Sequence, residues 1–232
     1  MPPAAPLVCH TCGHEQEYVR QPLYCLAGPS GTGKSTVGHA LLPRLADRFV
    51  VLEQDVLWVP ELRDPAGHHR AFRSTWLRLA ATIGQSGRPV LLCGTVVPPE
   101  LEPLPERALF REVHYLALTC RADVLAARLR TRPAWREWDE PRIVEMLEYA
   151  AWLDGSAATL EPPVELLDTT ERSIEETADA VCARHAGSSG QAGRRAASST
   201  CGRIDGGCTG SRSSATTSRP ASTNIPASSS GR

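Results

Sequence analysis

Eight consecutive residues, Gly28, Pro29, Ser30, Gly31, Thr32, Gly33, Lys34 and Ser35, constrain this chain more than any other stretch. They follow the spacing G-x-x-x-x-G-K-S, with an apolar run (LYCLA, 23–27) before them and a helical pattern (Val37, Leu41, Leu42, Leu45) after them. Glycines at these points let the backbone curl, so that successive N–H groups face inward toward phosphate oxygens. The start of the following helix adds the positive end of its dipole. Lys34 is the single lysine among 24 arginines, so composition pushes against it. A compact ammonium reaches between two phosphates, where a planar guanidinium does not fit. The Ser35 hydroxyl is the expected Mg²⁺ ligand, and residues 28–36, ending in Thr36, are the candidate nucleotide-binding segment.

Apolar runs recur at 23–27, 49–53, 89–94, 113–118 and 164–168, and helical patterns follow at 34–47, 65–84, 99–109, 121–131 with 140–153, and 173–185. Strands alternating with helices predict a three-layer α/β/α fold around a five-stranded parallel sheet. Ligands bind beyond the carboxyl ends of such strands. Composition separates residues 1–21, residues 22–185 and a Ser/Gly/Ala/Arg-rich tail, 186–232, whose large apolar residues are Ile204 and Ile225. That tail has too little to bury and is expected to be disordered. The formal net charge of -1 gives no reason to expect nucleic-acid or membrane-surface binding. With no leader-like start, no long apolar span and scattered cysteines, a reducing cytoplasm is the expected location. Oligomeric state is not readable.

The stretch 28–35, in its strand–helix context, resembles the P-loop NTPase superfamily across roughly residues 22–185. The base-reading N-K-x-D motif of GTPases is absent, and the run 89–94 ends in Cys93 and Gly94, followed by Thr95, with no carboxylate. Acidic residues instead follow the second strand, at Glu53 and Asp55. This resembles the P-loop kinases of small molecules and nucleotides, such as shikimate kinase, gluconate kinase, chloramphenicol phosphotransferase and the nucleoside monophosphate kinases. The resemblance implies ATP and Mg²⁺ as cofactors and a small-molecule acceptor, a nucleoside or nucleotide among the candidates. Asp55 matches the position of the carboxylate that meets the acceptor hydroxyl; helix capping is its other reading, and Glu53 is a second candidate base or an outer Mg²⁺ partner. Lys34, Asp55 and the arginines of a compact lid, Arg128, Arg132 and Arg136, are the expected catalytic set, although a solvated arginine face is an alternative for the last three. Asp168 and Thr169 fall where such kinases pass the adenine, and Thr170, Ser173 and Glu176 also suit a helix start. Trp58, His68, His69, Arg70, Arg73, Trp76 and Thr95 are acceptor-pocket candidates. A nucleotide-binding ATPase switch, docking partners through its two ends, is the competing reading.

Cys9, Cys12 and His14, in CHTCGH, resemble one knuckle of a zinc ribbon. Zinc, an inert turn and a redox pair are the three readings. A closed site needs four ligands, and His10, His68 or His69 are the available supplements.

Overall fold

The computed structural model describes residues 6–189. Five parallel strands, β3 (Leu23–Ala27), β4 (Val50–Glu53), β5 (Val90–Cys93), β6 (Val113–Thr119) and β7 (Val164–Asp168), form one sheet in the order β4-β5-β3-β6-β7. The central strand β3 pairs with β5 from Leu23↔Val90 to Leu26↔Cys93, and with β6 from Leu23↔Val113 to Ala27↔Ala117. All five of its residues are buried, which is why it reads as a continuous apolar run rather than an alternating one.

Successive side chains of β3 go to opposite faces. Leu23, Cys25 and Ala27 pack with Trp76 and Leu77 of α2 (Arg70–Gly84). Tyr24 and Leu26 pack with Val37, Leu41 and Leu45 of α1 (Lys34–Leu45) and with Ala178 and Val181 of α6 (Ile174–Ser189). A smaller cluster joins α4 (Ala122–Arg130) to α5 (Glu140–Ser156) through Leu125, Leu129 and Ile143. The three-layer α/β/α arrangement expected from the sequence is therefore present.

Several bounds differ from the expected ones. The helix predicted over 65–84 starts only at Arg70, because His68 and His69 take left-handed conformations (φ 51° and 56°) that break the helical run. The region 99–109 holds one short helix, α3 (Pro98–Leu101), and a 3-10 turn, Pro105–Leu109. Prolines at the start of both pieces fix their φ angles, and Pro103, just past the first piece, stops it from continuing. The last helix continues to Ser189, and the tail expected over 186–232 otherwise lies outside the described residues.

The N-terminal segment forms an antiparallel pair, β1 (Leu7–Val8) with β2 (Glu15–Gln16). Its turn is closed by the Cys9 N–H donating to the His14 carbonyl (2.8 Å) and the Gly13 N–H donating to the Cys9 carbonyl (2.9 Å). The N–H groups of Cys12 and Thr11 face the Cys9 sulfur and hold its thiol below the usual range. A knuckle-like turn is thus formed. Among the described residues, however, no three His, Cys, Asp or Glu side chains gather to hold a metal ion, so the turn offers no support for zinc. His68 and His69 lie in the approach to α2, and His69 lines the cleft described below. No helix among the described residues is long and apolar enough to cross a membrane.

Candidate active site

The loop after β3 hangs from the buried centre of the sheet. Gly28 takes φ 126°, and a Cβ there would run into the Leu118 backbone of the neighbouring strand, so only glycine fits. Gly33, at φ 98°, is the N-cap of α1 and turns the chain into the helix. Thr32 is buried, and its hydroxyl donates to the Pro29 carbonyl (2.9 Å), bracing the loop from behind.

Lys34 Nζ donates to the carbonyl oxygens of Gly28 (2.7 Å) and Pro29 (2.9 Å). Burial lowers its pKa to about 8; Arg132 pushes the same way, and the nearby Asp55 and Glu53 carboxylates oppose the shift. Next to it, the Ser35 hydroxyl donates to Glu53 Oε1 at 2.9 Å. A hydroxyl and a carboxylate side by side at a phosphate loop are the hard oxygen donors that Mg²⁺ takes, so Ser35 and Glu53 fit that ion.

One cleft of about 570 Å³ opens over this loop, within the range of small-ligand sites. Ser30, Gly31, Gly33, Lys34, Ser35 and Thr36 form its phosphate side. Glu53, Asp55 and Trp58 come from the end of β4 and the 3-10 turn Gln54–Leu57. His69, Phe72 and Arg73 come from the start of α2, Thr95 from the end of β5, and Glu100 from α3. Asp55 is exposed within the 3-10 turn, and the N-cap of the next α-helix is His69, so the capping reading of Asp55 does not hold.

The opposite wall is the segment between α4 and α5. Arg132 and Arg142 both stack on Trp138, at 5.4 and 4.3 Å from its ring centre, and Arg136 lies over Trp135 at 4.5 Å. Arg142 Nη1 also donates to the carbonyls of Arg136 (2.9 Å) and Glu137 (3.1 Å). Arg132, Arg136, Trp138 and Arg142 line the cleft. Arg132 is half-buried, and burial together with the other two arginines lowers its pKa while Asp55 raises it. The wall touches the phosphate loop directly: the Ser30 N–H donates to the Met146 sulfur of α5 at 3.2 Å.

Not every expected residue reaches the cleft. Arg128 donates to the Thr169 carbonyl (3.1 Å) and hydroxyl (3.4 Å), tying α4 to the end of β7. Arg128 and Arg132 stand four apart in the sequence, but α4 ends at Arg130 and Arg132 has left the helical face. Thr169 is buried, and its hydroxyl donates to the carbonyls of Thr119 (2.9 Å) and Thr32 (3.4 Å), so it supports the phosphate loop from below. Asp168 accepts from the Thr170 N–H (2.8 Å) and hydroxyl (2.6 Å), which holds its carboxyl below the usual range. Ser173 and Glu176 bond reciprocally as a capping box, confirming the helix-start reading of this stretch. Gly28, Pro29 and Thr32 shape the loop without lining the cleft. Trp76 is buried and donates to the Gln54 carbonyl (3.2 Å), buttressing the turn that carries Asp55. His68 and Arg70 border a second hollow beside Arg73 and Glu100.

Arg128→Ala should therefore lower the melting temperature, at a cost of about 1–3 kcal/mol for a charged hydrogen-bond donor. Turnover should hardly change. A large loss of turnover with an unchanged melting temperature would return Arg128 to the catalytic set.

A strand, a loop ending in Gly-Lys-Ser, and a helix whose first turn faces the same cleft define the P-loop phosphate-binding fold. No family model matches the sequence, and no curated protein sequence matches it. Among solved structures, the fold is similar to a gluconokinase from Sinorhizobium meliloti 1021 (20% identity; 77% of this chain and 99% of that one; TM-score 0.49). It is also similar to the tunicamycin resistance protein of Deinococcus radiodurans (17% identity; 72% and 96%; TM-score 0.49). A third is the shikimate kinase of Acinetobacter baumannii (18% identity; 74% and 96%; TM-score 0.49). These are distant likenesses of fold, and the functional argument rests on the site itself.

Proposed function

We propose that this chain is an ATP-dependent phosphotransferase that moves the γ-phosphoryl of Mg-ATP to a hydroxyl of a small-molecule acceptor. The observation that supports it is the gathering in one cleft of Lys34 and Ser35, the free carboxylate Asp55, and a facing wall of three arginines. The loop's N–H groups and Lys34 hold the β- and γ-phosphates. Mg²⁺, when bound by Ser35 and Glu53, offsets phosphate charge. Asp55 orients the acceptor hydroxyl and takes its proton as the new phosphorus–oxygen bond forms and the bond from the γ-phosphorus to the bridging oxygen breaks, ADP leaving with that oxygen. Arg132 and Arg136 stabilise the negative charge spread over the transferring oxygens. Trp138, stacked under Arg132 and Arg142, keeps that wall in shape. The 28–36 segment is the nucleotide site in this reading, with Thr169 behind it as a support.

ATP consumption measured alone and with a panel of hydroxyl-bearing acceptors tests the reading. Transfer should be slow alone and rise at least about tenfold with a true acceptor. Slow hydrolysis that no acceptor accelerates, with ATP bound normally, would instead favour a nucleotide-dependent switch.

A further inference from the structure

The acceptor side of the cleft has a charge pattern that narrows what it takes. Its ionisable side chains are the carboxylates Glu53, Asp55 and Glu100, the guanidinium of Arg73 and the imidazole of His69. Arg73 is held by Glu100 in a close ion pair, with the two side chains only 16% and 28% exposed. The guanidinium that could have met an acidic substrate is therefore already neutralised within the wall. Across the cleft, Arg132 feels the charges of both Lys34 and Asp55. In the phosphotransferase reading Arg132 and Arg136 are taken up by the transferring phosphoryl group.

The same side is aromatic. Trp58 meets Phe72 edge-on at 5.0 Å and His69 at 4.8 Å, forming a corner that suits a ring. His69 is held by its left-handed backbone and by the Asp64 N–H, which donates to its Nδ1 at 3.2 Å. In the neutral ring the proton then sits on Nε2, as a donor.

We propose that the acceptor is an uncharged or cationic, ring-bearing alcohol, and that Glu100 sets this preference by occupying Arg73. A carboxylate or phosphate on the acceptor would face the Asp55 carboxylate, with the Arg73 guanidinium already paired to Glu100. It would lose hydration without regaining a partner. A hydroxyl or amine finds acceptors there, and a ring finds Trp58 and Phe72. This inference rests on the phosphotransferase reading above.

The test is charge selectivity in the full chain, read as ATP consumption. Gluconate, shikimate and adenosine monophosphate serve as acidic probes; uridine, adenosine and kanamycin serve as uncharged and cationic ones. At least one of the second group should outpace every acidic probe by about tenfold or more. Glu100→Gln keeps the side chain's shape, frees Arg73, and should narrow or reverse that ratio by about tenfold, with ATP affinity unchanged. A melting curve confirms that the variant folds, and the unmodified protein's own ratio stands as a test whether or not it does. The proposal is overturned if the unmodified protein prefers an acidic probe or shows no preference between the groups, or if a folded Glu100→Gln keeps the original ratio. ATP consumption that no probe of either group accelerates, or failure to bind ATP at all, would instead overturn the phosphotransferase reading; the acceptor proposal fails where probes of both groups are phosphorylated alike or acidic ones are preferred, so the two failures are separable.

Discussion

Lys34→Ala should reduce phosphoryl transfer by about 10³-fold or more, because it removes the charge that bridges the β- and γ-phosphates. Lys34→Arg should fail as well. Lys34 Nζ fits within hydrogen-bond reach of two carbonyls of its own tight loop, a niche too small for a guanidinium. The same substitution to alanine should raise the melting temperature of the nucleotide-free protein at pH 7. The reason is the sign of the pKa shift. Folding lowers the Lys34 pKa from 10.5 to about 8. A lysine lowered in this way destabilises the fold at every pH below about 8, where it must be charged while buried. That penalty fades as pH rises from 8 toward the unfolded value. The titration also predicts binding behaviour. ATP needs the ammonium, so its affinity should be flat below pH 8 and about tenfold weaker at pH 9. Calorimetry at pH 7 and 9 measures this directly. An affinity independent of pH, or near-normal turnover in the arginine variant, would remove Lys34 from the role given to it.

Asp55→Asn should lower turnover with a true acceptor by about 10²–10⁴-fold, the scale of a lost general base, while ATP affinity changes little. Asp55 is exposed in a 3-10 turn, so stability should barely move. The contrast with Glu53 is informative. Glu53 accepts from the Ser35 hydroxyl, so Glu53→Gln should weaken the response to Mg²⁺ as well as turnover. Turnover and ATP binding of the two variants, titrated with Mg²⁺, separate a base from a metal partner. Intact turnover in Asp55→Asn would move the base assignment to Glu53.

The strands were legible because a parallel sheet covered on both faces demands apolar residues at successive positions, as in LYCLA and VLLC. The phosphate loop was legible because its chemistry is local: every group it uses lies within one turn and one helix start. The rest of the site was less so. Arg128 and Arg132 look equivalent in sequence, and only the end of α4 at Arg130 sends one to Thr169 and the other to the cleft. Phe72, Glu100, Trp138 and Arg142 line the cleft but were not singled out. They come from three separate pieces of chain, and no spacing pattern links all of them. Trp138 and Arg142 carried one weak signal, being four apart with Arg132 and Arg136 just upstream. Glu100 carried none, because its value depends on meeting Arg73 across 27 positions.

The two halves of the cleft stand on ground of unequal firmness. The phosphate loop grows from β3, which is locked between neighbours on both sides. Asp55 and Trp58 follow β4, one of the two edge strands, whose four residues are all only partly buried. The remaining acceptor residues sit at the start of α2 and on the four-residue α3. Substitutions on that margin disturb few core contacts, whereas those at the centre disturb many. A lineage built on this plan is therefore free to change what it phosphorylates while its nucleotide handling stays fixed. Laboratory selection for new acceptors should find its gains at Trp58, Arg73 and Glu100 before anywhere else.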